Sequence, residues 1–250
     1  RTAGANVWQY SWNGSDAQLW RFVDAGDGKY YIQSKLGTVL DVTSASAAAG
    51  TNVQTYTFNQ STAQKWTLLE TEKTLYSIMG KTNVSVSQMV KFYKNKATVS
   101  YPYSNVSEAP TIEKFCQIYK EESEVEGVKA EVAFAQAMME TGFLKFGGDV
   151  KKDQYNFAGI GAIGGGSSGA KFDSIRIGIR AHVQHLKAYA SKEALKQPVV
   201  DPRFQYVKRG SAEYVQWLGQ KENPNGYGWA TAKNYGNNIV KLYILPMKKY

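Results

Sequence analysis

An internal repeat near the start of the chain is the feature that most constrains its fold. The segment AGANVWQYSWNGSDAQLW (3–20) aligns without gaps to AGTNVQTYTFNQSTAQKW (49–66), at an offset of 46 residues. A period between roughly 20 and 50 residues indicates repeated supersecondary units, because one unit alone cannot bury its apolar face. Short alternating runs such as KYYIQS and TVLDV lie between the copies and predict β-strands joined by glycine-rich turns.

Each copy ends in the motif Gln-x-Trp, at Gln18 to Trp20 and again at Gln64 to Trp66. These paired motifs resemble the ricin-type β-trefoil lectins, whose three repeats each carry Gln-x-Trp near the end. The resemblance implies that the tryptophans fill a common core and that the glutamines brace each repeat. Because the chain holds about one and a half repeats, we expect residues 1–70 to form a partial trefoil, with the other repeats elsewhere in the full protein.

The same resemblance implies a sugar-binding site in the complete repeat. Asp41 stands where the family has an aspartate that accepts hydrogen bonds from sugar hydroxyls. Tyr56 is the candidate for stacking on the sugar ring, and Gln54 and Asn59 are candidate amide ligands. The family often has asparagine just before Gln-x-Trp, where this chain has Ala63. The alternative interpretation is that Asp41 is a turn residue and Tyr56 belongs to the core.

The apolar pattern changes near Glu70–Lys73, which divides the chain into domains of residues 1–70 and 71–250. The second domain has segments with apolar residues three or four apart, which predict helices. These segments are residues 84–97, 109–127, 128–140, 174–190 and 212–220. Ser107–Pro110 predicts a helix start and Gly127 and Gly142 predict helix ends, whereas residues 147–169 predict turns and a small sheet. The expected fold class is therefore a partial all-β module followed by an α-rich α+β domain.

A carboxylate at the end of an apolar helix raises the question of function. In AEVAFAQAMMETGF (130–143), helical geometry places Gln136 on the face of Glu140 and places Glu131 on the opposite, solvent-facing side. A carboxyl among apolar side chains loses hydration, so its pKa rises. A neutral carboxylic acid near pH 7 suits a general acid. The alternative is an ordinary surface glutamate at a helix end.

Three motifs occur in order after this helix begins: METGF (139–143), NFAGIG (156–161) and GWATAKNYG (228–236). Together they resemble the glucosaminidases of glycoside hydrolase family 73, which are lysozyme-like enzymes that cut bacterial peptidoglycan. The family has Glu-Thr-Gly or Glu-Ser-Gly at the end of a core helix, then Asn-x-x-Gly-Ile, then a Tyr-Ala-Thr-like segment in which this chain has Trp229. The resemblance extends over about residues 80–247 and implies a lysozyme-like fold with a small β-lobe.

The resemblance implies that Glu140 protonates the departing glycosidic oxygen and that Tyr235 lies near the other side of the reacting sugar. Asp149, Asp153 and Asp173 are candidates for a second catalytic carboxylate, although Asp149 and Asp153 are equally compatible with loop positions that bind backbone amides. A route without a second carboxylate is also open, because the 2-acetamido group of N-acetylglucosamine can attack its own anomeric carbon.

A groove for the sugar chain is expected around these residues. Aromatic rings stack on the apolar faces of pyranoses, and the second and third motifs supply both aromatic and polar candidates. The expected substrate-binding residues are Tyr155, Asn156, Phe157, Gly159, Tyr206 and Trp229. Some of the aromatic members belong to the core in the alternative interpretation.

The distribution of charge indicates the kind of partner. The net charge is +9, and residues 1–70 hold five basic and five acidic residues, so the excess lies in residues 71–250. Such an excess favours an anionic partner, either nucleic acid or the acidic polymers of a bacterial wall. The lysines are scattered and no nucleic-acid-binding motif is present, so we expect wall polymers and no nucleic acid. His182 and His185 lie three residues apart without a third nearby ligand, so we expect no metal and no cofactor.

The sequence therefore predicts a secreted bacterial cell-wall hydrolase that acts on peptidoglycan glycan strands and also contacts anionic wall polymers or other cell-surface sugars. No apolar run is long enough to span a membrane, and we expect a monomer. One alternative is a muramidase or lytic transglycosylase acting on the other glycosidic bond. Another is a wall-binding protein without catalytic activity.

Overall fold

The computed structural model describes residues 3–68, 75–162, 165–166 and 168–250. The chain divides into two compact units, Arg1–Lys73 and Thr74–Tyr250, called here the β unit and the α unit. The expected domain boundary, Glu70–Lys73, lies outside the described residues.

The β unit is one antiparallel sheet of six strands in the order β1-β5-β4-β3-β2, with β6 pairing to β3. The strands are β1 (Ala5–Asn6), β2 (Trp20–Asp24), β3 (Lys29–Ser34), β4 (Val39–Val42), β5 (Val53–Tyr56) and β6 (Trp66–Thr67). The runs KYYIQS and TVLDV are thus confirmed as strands, because their alternating side chains fit the two faces of a sheet.

Both copies of the repeat build the same turn before the Gln-x-Trp motif. Gln18 accepts a hydrogen bond from the backbone N–H of Asn13 and donates one to the backbone carbonyl of Ser11, both at 2.7 Å. Gln64 makes the equivalent bonds to Asn59 N–H and the Thr57 carbonyl, both at 2.9 Å. The bracing role that the resemblance implied is therefore present in both copies.

The two glutamines differ in what lies behind them. Gln64 is fully buried, and its amide also donates to Asp41 Oδ2 at 3.1 Å. Gln18 is only partly buried, and its side chain bonds to no carboxylate among the described residues. The second copy is consequently anchored to strand β4, whereas the first copy leaves Trp8 and Trp12 more than 70% exposed.

The described residues of the α unit form four long helices and a broken C-terminal helix. The long helices are α1 (Val86–Lys96), α2 (Ile112–Glu126), α3 (Ala130–Thr141) and α4 (Ile175–Ala190). The C-terminal helix consists of α5 (Tyr235–Asn238), a π-helical stretch (Ile239–Ile244) and α6 (Leu245–Met247). Its first residue, Tyr235, and most of α3 belong to one hydrophobic core.

Local signals set several helix ends as expected. Gly127 and Gly142 end α2 and α3 in the left-handed conformation, at φ +74 and +57. Helix α2, however, begins after Thr111 and not at Ser107–Pro110, because the Thr111 hydroxyl accepts the hydrogen bond from the backbone N–H of Lys114.

Two other expectations about the α unit are wrong. The predicted helix at 212–220 is a short 3₁₀ helix, Val215–Leu218, which a turn at Gly219 ends. The small sheet predicted at 147–169 is not formed by the described residues of that segment, which contain turns and the 3₁₀ helix Lys152–Gln154. Glycine-rich sequence allows either outcome, and here the side chain of Gln154 bonds to the carbonyls of Ser168 and Ala170 in place of a strand partner.

The expectation that Glu131 faces solvent is also wrong. The residue is fully buried, and its carboxylate accepts hydrogen bonds from the Tyr76 hydroxyl at 2.8 Å and from the Asn83 backbone at 3.3 Å. Helical periodicity located Glu131 opposite Glu140, but residues far along the chain cover that face as well.

The fold class is confirmed as a partial all-β unit followed by a helical unit. No helix among the described residues is both long and apolar enough to cross a bilayer.

The internal repeat allows a matched test of the bracing glutamines. We expect Gln64→Ala to lower the free energy of unfolding of the β unit by about 2–3 kcal/mol, because it leaves Oδ2 of the buried Asp41 without its donor and removes the bonds that hold the Thr57 carbonyl and the Asn59 N–H. Gln18→Ala should cost less than about 1 kcal/mol, because water reaches the groups that it frees. Native-state hydrogen exchange of the β4 and β5 amides measures both changes in unfolding free energy. Equal losses of stability in the two variants would contradict the conclusion that only Gln64 is anchored in a buried network.

Candidate active site

Glu140 lies at the end of α3, at a cleft of about 260 Å³ that we call the Glu140 cleft. Asp149, Asn156, Gly159 and Ala162 also line it. The left-handed Gly142 turns the chain away two residues after Glu140, so the helix ends where the carboxylate meets the cleft.

Backbone strain is concentrated around this cleft. Five non-glycine residues in the described part of the α unit have positive φ: Phe143, Leu144, Phe146, Tyr155 and Asn234. Three follow within six residues of Glu140, and the other two directly precede Asn156 and Tyr235. Such conformations cost roughly 1–3 kcal/mol each and persist only where the surroundings enforce them, which is common at functional sites.

A chain of hydrogen bonds connects Glu140 to the interior. The Tyr235 hydroxyl donates to Glu140 Oε1 and accepts from Gln136 Nε2 at 2.8 Å. Gln136 Oε1 faces His182 Nε2 at 2.9 Å, and His182 Nδ1 faces the Tyr119 hydroxyl at 3.2 Å. These groups are buried apart from Glu140, so each bond is made in a dry environment.

The protonation of His182 fixes the direction of this chain. Burial lowers the pKa of His182 to about 3, with a smaller contribution from His185, so the ring is neutral at pH 7. One ring nitrogen then donates and the other accepts. With Nε2–H donating to Gln136, the amide nitrogen is left to donate to Tyr235, whose own proton goes to Glu140. Every donor therefore points towards Glu140.

Two opposing effects act on the Glu140 carboxylate. Solvent reaches the side chain, but the cleft walls crowd the carboxylate, and this loss of hydration raises the pKa of Glu140. The hydrogen bond from Tyr235 lowers that pKa and is the weaker effect. Burial and the neighbouring carboxylate raise the pKa of Tyr235 well above its usual range, so its hydroxyl stays protonated as a donor.

A comparison with protein families matches the same part of the chain. The model of the glucosaminidase family, described as mannosyl-glycoprotein endo-beta-N-acetylglucosaminidase, matches residues 116–244, more than half of the chain. The chain belongs to the glucosaminidase family. The matched region contains Glu140, Tyr235 and the three residues behind them in the hydrogen-bond chain. The ricin-type beta-trefoil lectin-like family matches residues 1–56 and 35–98.

Individual proteins are similar to parts of the chain. An uncharacterized protein of Borreliella burgdorferi is 46% identical over 132 residues, which are 53% of this chain and 61% of that protein. The chain thus spans about 61% of the length of this relative. A designed three-fold symmetric protein, ThreeFoil, is 40% identical over 31% of this chain and 56% of its own, with a TM-score of 0.29.

The candidate second carboxylates lie in different places. Asp149 lines the Glu140 cleft. Asp153 is exposed, with Lys171 Nζ at 4.0 Å from its carboxylate, and Asp173 is exposed as well. Of the three, only Asp149 lines the Glu140 cleft, and a catalytic role for Asp153 or Asp173 stays a prediction.

Two of the expected substrate ligands, Asn156 and Phe157, instead shape the loop that forms one wall of the cleft. Asn156 is buried, accepts from Ile160 N–H at 2.9 Å and donates to the carbonyls of Ile160 and Ala170, so its amide holds the cleft wall. Phe157 packs in the core, with its ring 5.1 Å from that of Phe115. Contact between Phe157 and substrate is therefore a wrong prediction, because the loop turns this side chain inward.

The remaining aromatic candidates for substrate binding lie in two different places. Tyr155 packs against Tyr103, with ring centres 5.8 Å apart. Tyr206 and Trp229 line a second cavity of about 200 Å³, together with His185, Tyr189 and Arg203. We call it the Arg203 cavity. Gly159 and Ala162 line both this cavity and the Glu140 cleft, so the two are neighbours across one loop.

The residues of the expected sugar site in the β unit bond mainly to one another and to nearby backbone. Asp41 lies in strand β4, is buried, and accepts hydrogen bonds from both Gln54 at 3.0 Å and Gln64 at 3.1 Å. Asn59 Oδ1 accepts the backbone N–H of Ser61 and thereby shapes the turn. Tyr56 is partly exposed, so neither a turn Asp41 nor a core Tyr56 describes the structure.

Sequence reasoning missed Gln136 and His182 as parts of the site. The available signal was a glutamine in an otherwise apolar helix on the face of Glu140, since a buried amide needs partners. The partners of Gln136 lie on α4 and α5, and nothing local in the sequence indicates those contacts. No group of potential metal ligands occurs among the described residues.

The opposing effects on Glu140 can be separated by removing one hydroxyl. We expect Tyr235→Phe to raise the pKa of Glu140 further, because it removes the hydrogen bond that stabilises the carboxylate and leaves the desolvation unchanged. Carbon-13 NMR titration of the Glu140 carboxyl measures this pKa in both proteins. A fall in the pKa would contradict the donor direction assigned to Tyr235.

The neutral state of His182 has a consequence for stability. Below about pH 6.5 the unfolded chain binds a proton at this histidine that the folded chain does not accept until about pH 3. Folding is therefore weakened as the pH falls through this window, by about 2 kcal/mol at pH 5 relative to pH 7 from this group. We expect His182→Gln, which retains a donor and an acceptor, to remove this part of the pH dependence. Urea unfolding of both proteins at pH 7 and pH 5 measures it, and an unchanged dependence would contradict the buried neutral ring.

Proposed function

We propose that this chain hydrolyses the β-1,4 bond between N-acetylglucosamine and N-acetylmuramic acid in bacterial peptidoglycan, on the reducing side of N-acetylglucosamine. Glu140 is the general acid. The observation that carries the proposal is the hydrogen bond from Tyr235 to a partly desolvated Glu140 at the cleft. Membership of the glucosaminidase family supports the same reaction class.

The geometry gives the two oxygens of Glu140 separate tasks. Oε1 accepts the Tyr235 hydroxyl, so the proton of the neutral acid resides on Oε2. As Oε2 transfers this proton to the departing glycosidic oxygen, negative charge develops on the carboxylate. The bond from Tyr235 strengthens against that charge and so stabilises the transition state.

The anomeric carbon also needs a nucleophile. We propose that the 2-acetamido oxygen of N-acetylglucosamine attacks this carbon while the bond to the leaving oxygen breaks. Water then attacks the same carbon, the acetamide is restored, and the water proton passes to Glu140. Asp149 is the second candidate, as nucleophile or base, because it lines the Glu140 cleft.

The setting of the reaction is part of the proposal. We propose that the protein is secreted, acts at the cell wall, and also contacts anionic wall polymers. The net charge of +9, which the sequence places in the α unit, supports that contact. The β-trefoil lectin-like match supports a carbohydrate-binding role for the β unit.

The acid is tested with purified peptidoglycan. We expect Glu140→Gln to slow clearing about 10²- to 10⁴-fold while leaving the fold intact, because an amide cannot supply the proton. Turbidity loss measures the rate, and circular dichroism checks the fold. Undiminished clearing by Glu140→Gln would mean that another group is the acid.

The same assay distinguishes the remaining hypotheses. Asp149→Asn should retain most of the rate if the acetamido group is the nucleophile, whereas a loss as large as that of Glu140→Gln would favour the carboxylate. Mass analysis after borohydride reduction should find products that end in reduced N-acetylglucosamine. Ends in N-acetylmuramic acid would indicate a muramidase, and anhydro ends a lytic transglycosylase. Wall binding without clearing by the folded wild type would indicate a binding protein.

A further inference from the structure

The Arg203 cavity adjoins the Glu140 cleft. The cleft has a volume of about 260 Å³ and the Arg203 cavity about 200 Å³, so each alone is smaller than the roughly 300–1,000 Å³ of typical ligand sites. Both are lined by Gly159 and Ala162. A substrate that occupies the cleft and carries a side branch can therefore reach the Arg203 cavity across this loop.

Arg203 supplies an unpaired positive charge to this cavity. Its guanidinium lies over the ring of Tyr206, 4.6 Å from the ring centre, and forms no ion pair with a described residue. Its backbone N–H, not its side chain, donates to Asp201 Oδ1 at 2.8 Å. The described residues that line the cavity include no aspartate or glutamate. The fork of donors on the guanidinium is free to bind a carboxylate in a bidentate manner.

A second polar side chain, His185, is held in place beside Arg203 in this cavity. His185 Nδ1 is 2.6 Å from Asp201 Oδ2, and the Asp201 side chain is fully buried. Because a buried carboxylate needs a donor, Nδ1 carries the proton that is donated to Asp201. Nε2 is then an acceptor that is left for a ligand in the cavity. The ring of Trp229 packs edge-on against His185, with centres 4.6 Å apart, and fixes the plane of the imidazole.

We propose that the Arg203 cavity binds the acidic side branch of the substrate, which is the lactyl-peptide arm of the N-acetylmuramic acid unit next to the cleaved bond. This inference rests on the proposed function. That arm bears carboxylates, and N-acetylglucosamine has none, so a cation beside the cleft distinguishes the two sugars. Arg203 binds a carboxylate, Tyr206 and Trp229 form the walls, and Nε2 of the fixed His185 accepts a hydrogen bond from a peptide N–H of the arm.

Binding to a variant that cannot turn over isolates this contact. The probe is soluble N-acetylglucosaminyl-N-acetylmuramoyl tetrapeptide, and its partner is the same compound with its carboxylates amidated by carbodiimide coupling. Calorimetry is performed on the full chain carrying Glu140→Gln, with and without Arg203→Gln. We expect Arg203→Gln to raise the Kd of the acidic probe roughly tenfold, because a charge-assisted hydrogen bond is lost. The Kd of the amidated probe should not change.

Matched variants keep the result specific. Lys208 lies over the ring of Tyr227, at 3.9 Å, in the same kind of exposed cation–aromatic contact, but it does not line the cavity. We expect Lys208→Gln to bind both probes as the parent does, and Arg203→Lys to keep part of the preference for the acidic probe. Equal affinity of the parent for both probes, or an equal loss of both in Arg203→Gln, would overturn the inference.

The proposed function fails in a different way. It fails if the wild type releases no reduced N-acetylglucosamine ends from peptidoglycan, whatever the probes show. The inference fails alone if the wild type makes these ends and the acidic and amidated probes bind alike. Thermal unfolding of each variant excludes a loss of fold as the cause.

Discussion

The site depends on the burial of α3. Ten of the twelve residues of this helix are buried, so it has almost no face on which a polar side chain can meet water. Each polar group must then find a partner inside the protein. Glu131 finds Tyr76 and Asn83, and Gln136 finds Tyr235 and His182. Glu140, in the last turn, is the carboxylate of α3 that reaches the cleft.

The same burial determines the direction in which the groups of the hydrogen-bond chain donate. A neutral His182 can only arrange its two nitrogens as one donor and one acceptor, and this choice is transmitted through the amide of Gln136 to the Tyr235 hydroxyl. Glu140 consequently experiences a fixed donor on Oε1 and a low-hydration environment. The first stabilises the ionised form and the second the neutral form, which is the balance that a proton donor needs in order to hold a proton and then release it.

The β unit uses one local design in two environments. The turn before each Gln-x-Trp is the same in both copies, because the glutamine and the asparagine make the same backbone bonds. Only the second copy adds Asp41, whose carboxylate also accepts from Gln54 on the neighbouring strand. The aspartate that the lectin pattern would offer to a sugar is thereby engaged with two amides, and the sheet gains a buried polar junction.

Local sequence determined the repeated turns, the four long helices, the left-handed ends at Gly127 and Gly142, and the position of Glu140 at a helix end. Each of these depends on residues close together along the chain, where periodicity and glycine report directly on the backbone. Tertiary structure decided that Glu131 is buried, that Phe157 turns into the core, and that Tyr235 contacts Glu140 from 95 residues away. Periodicity tells which face of a helix a residue occupies but not which distant segment covers that face, and burial, hydration and hydrogen-bond partners all follow from that covering.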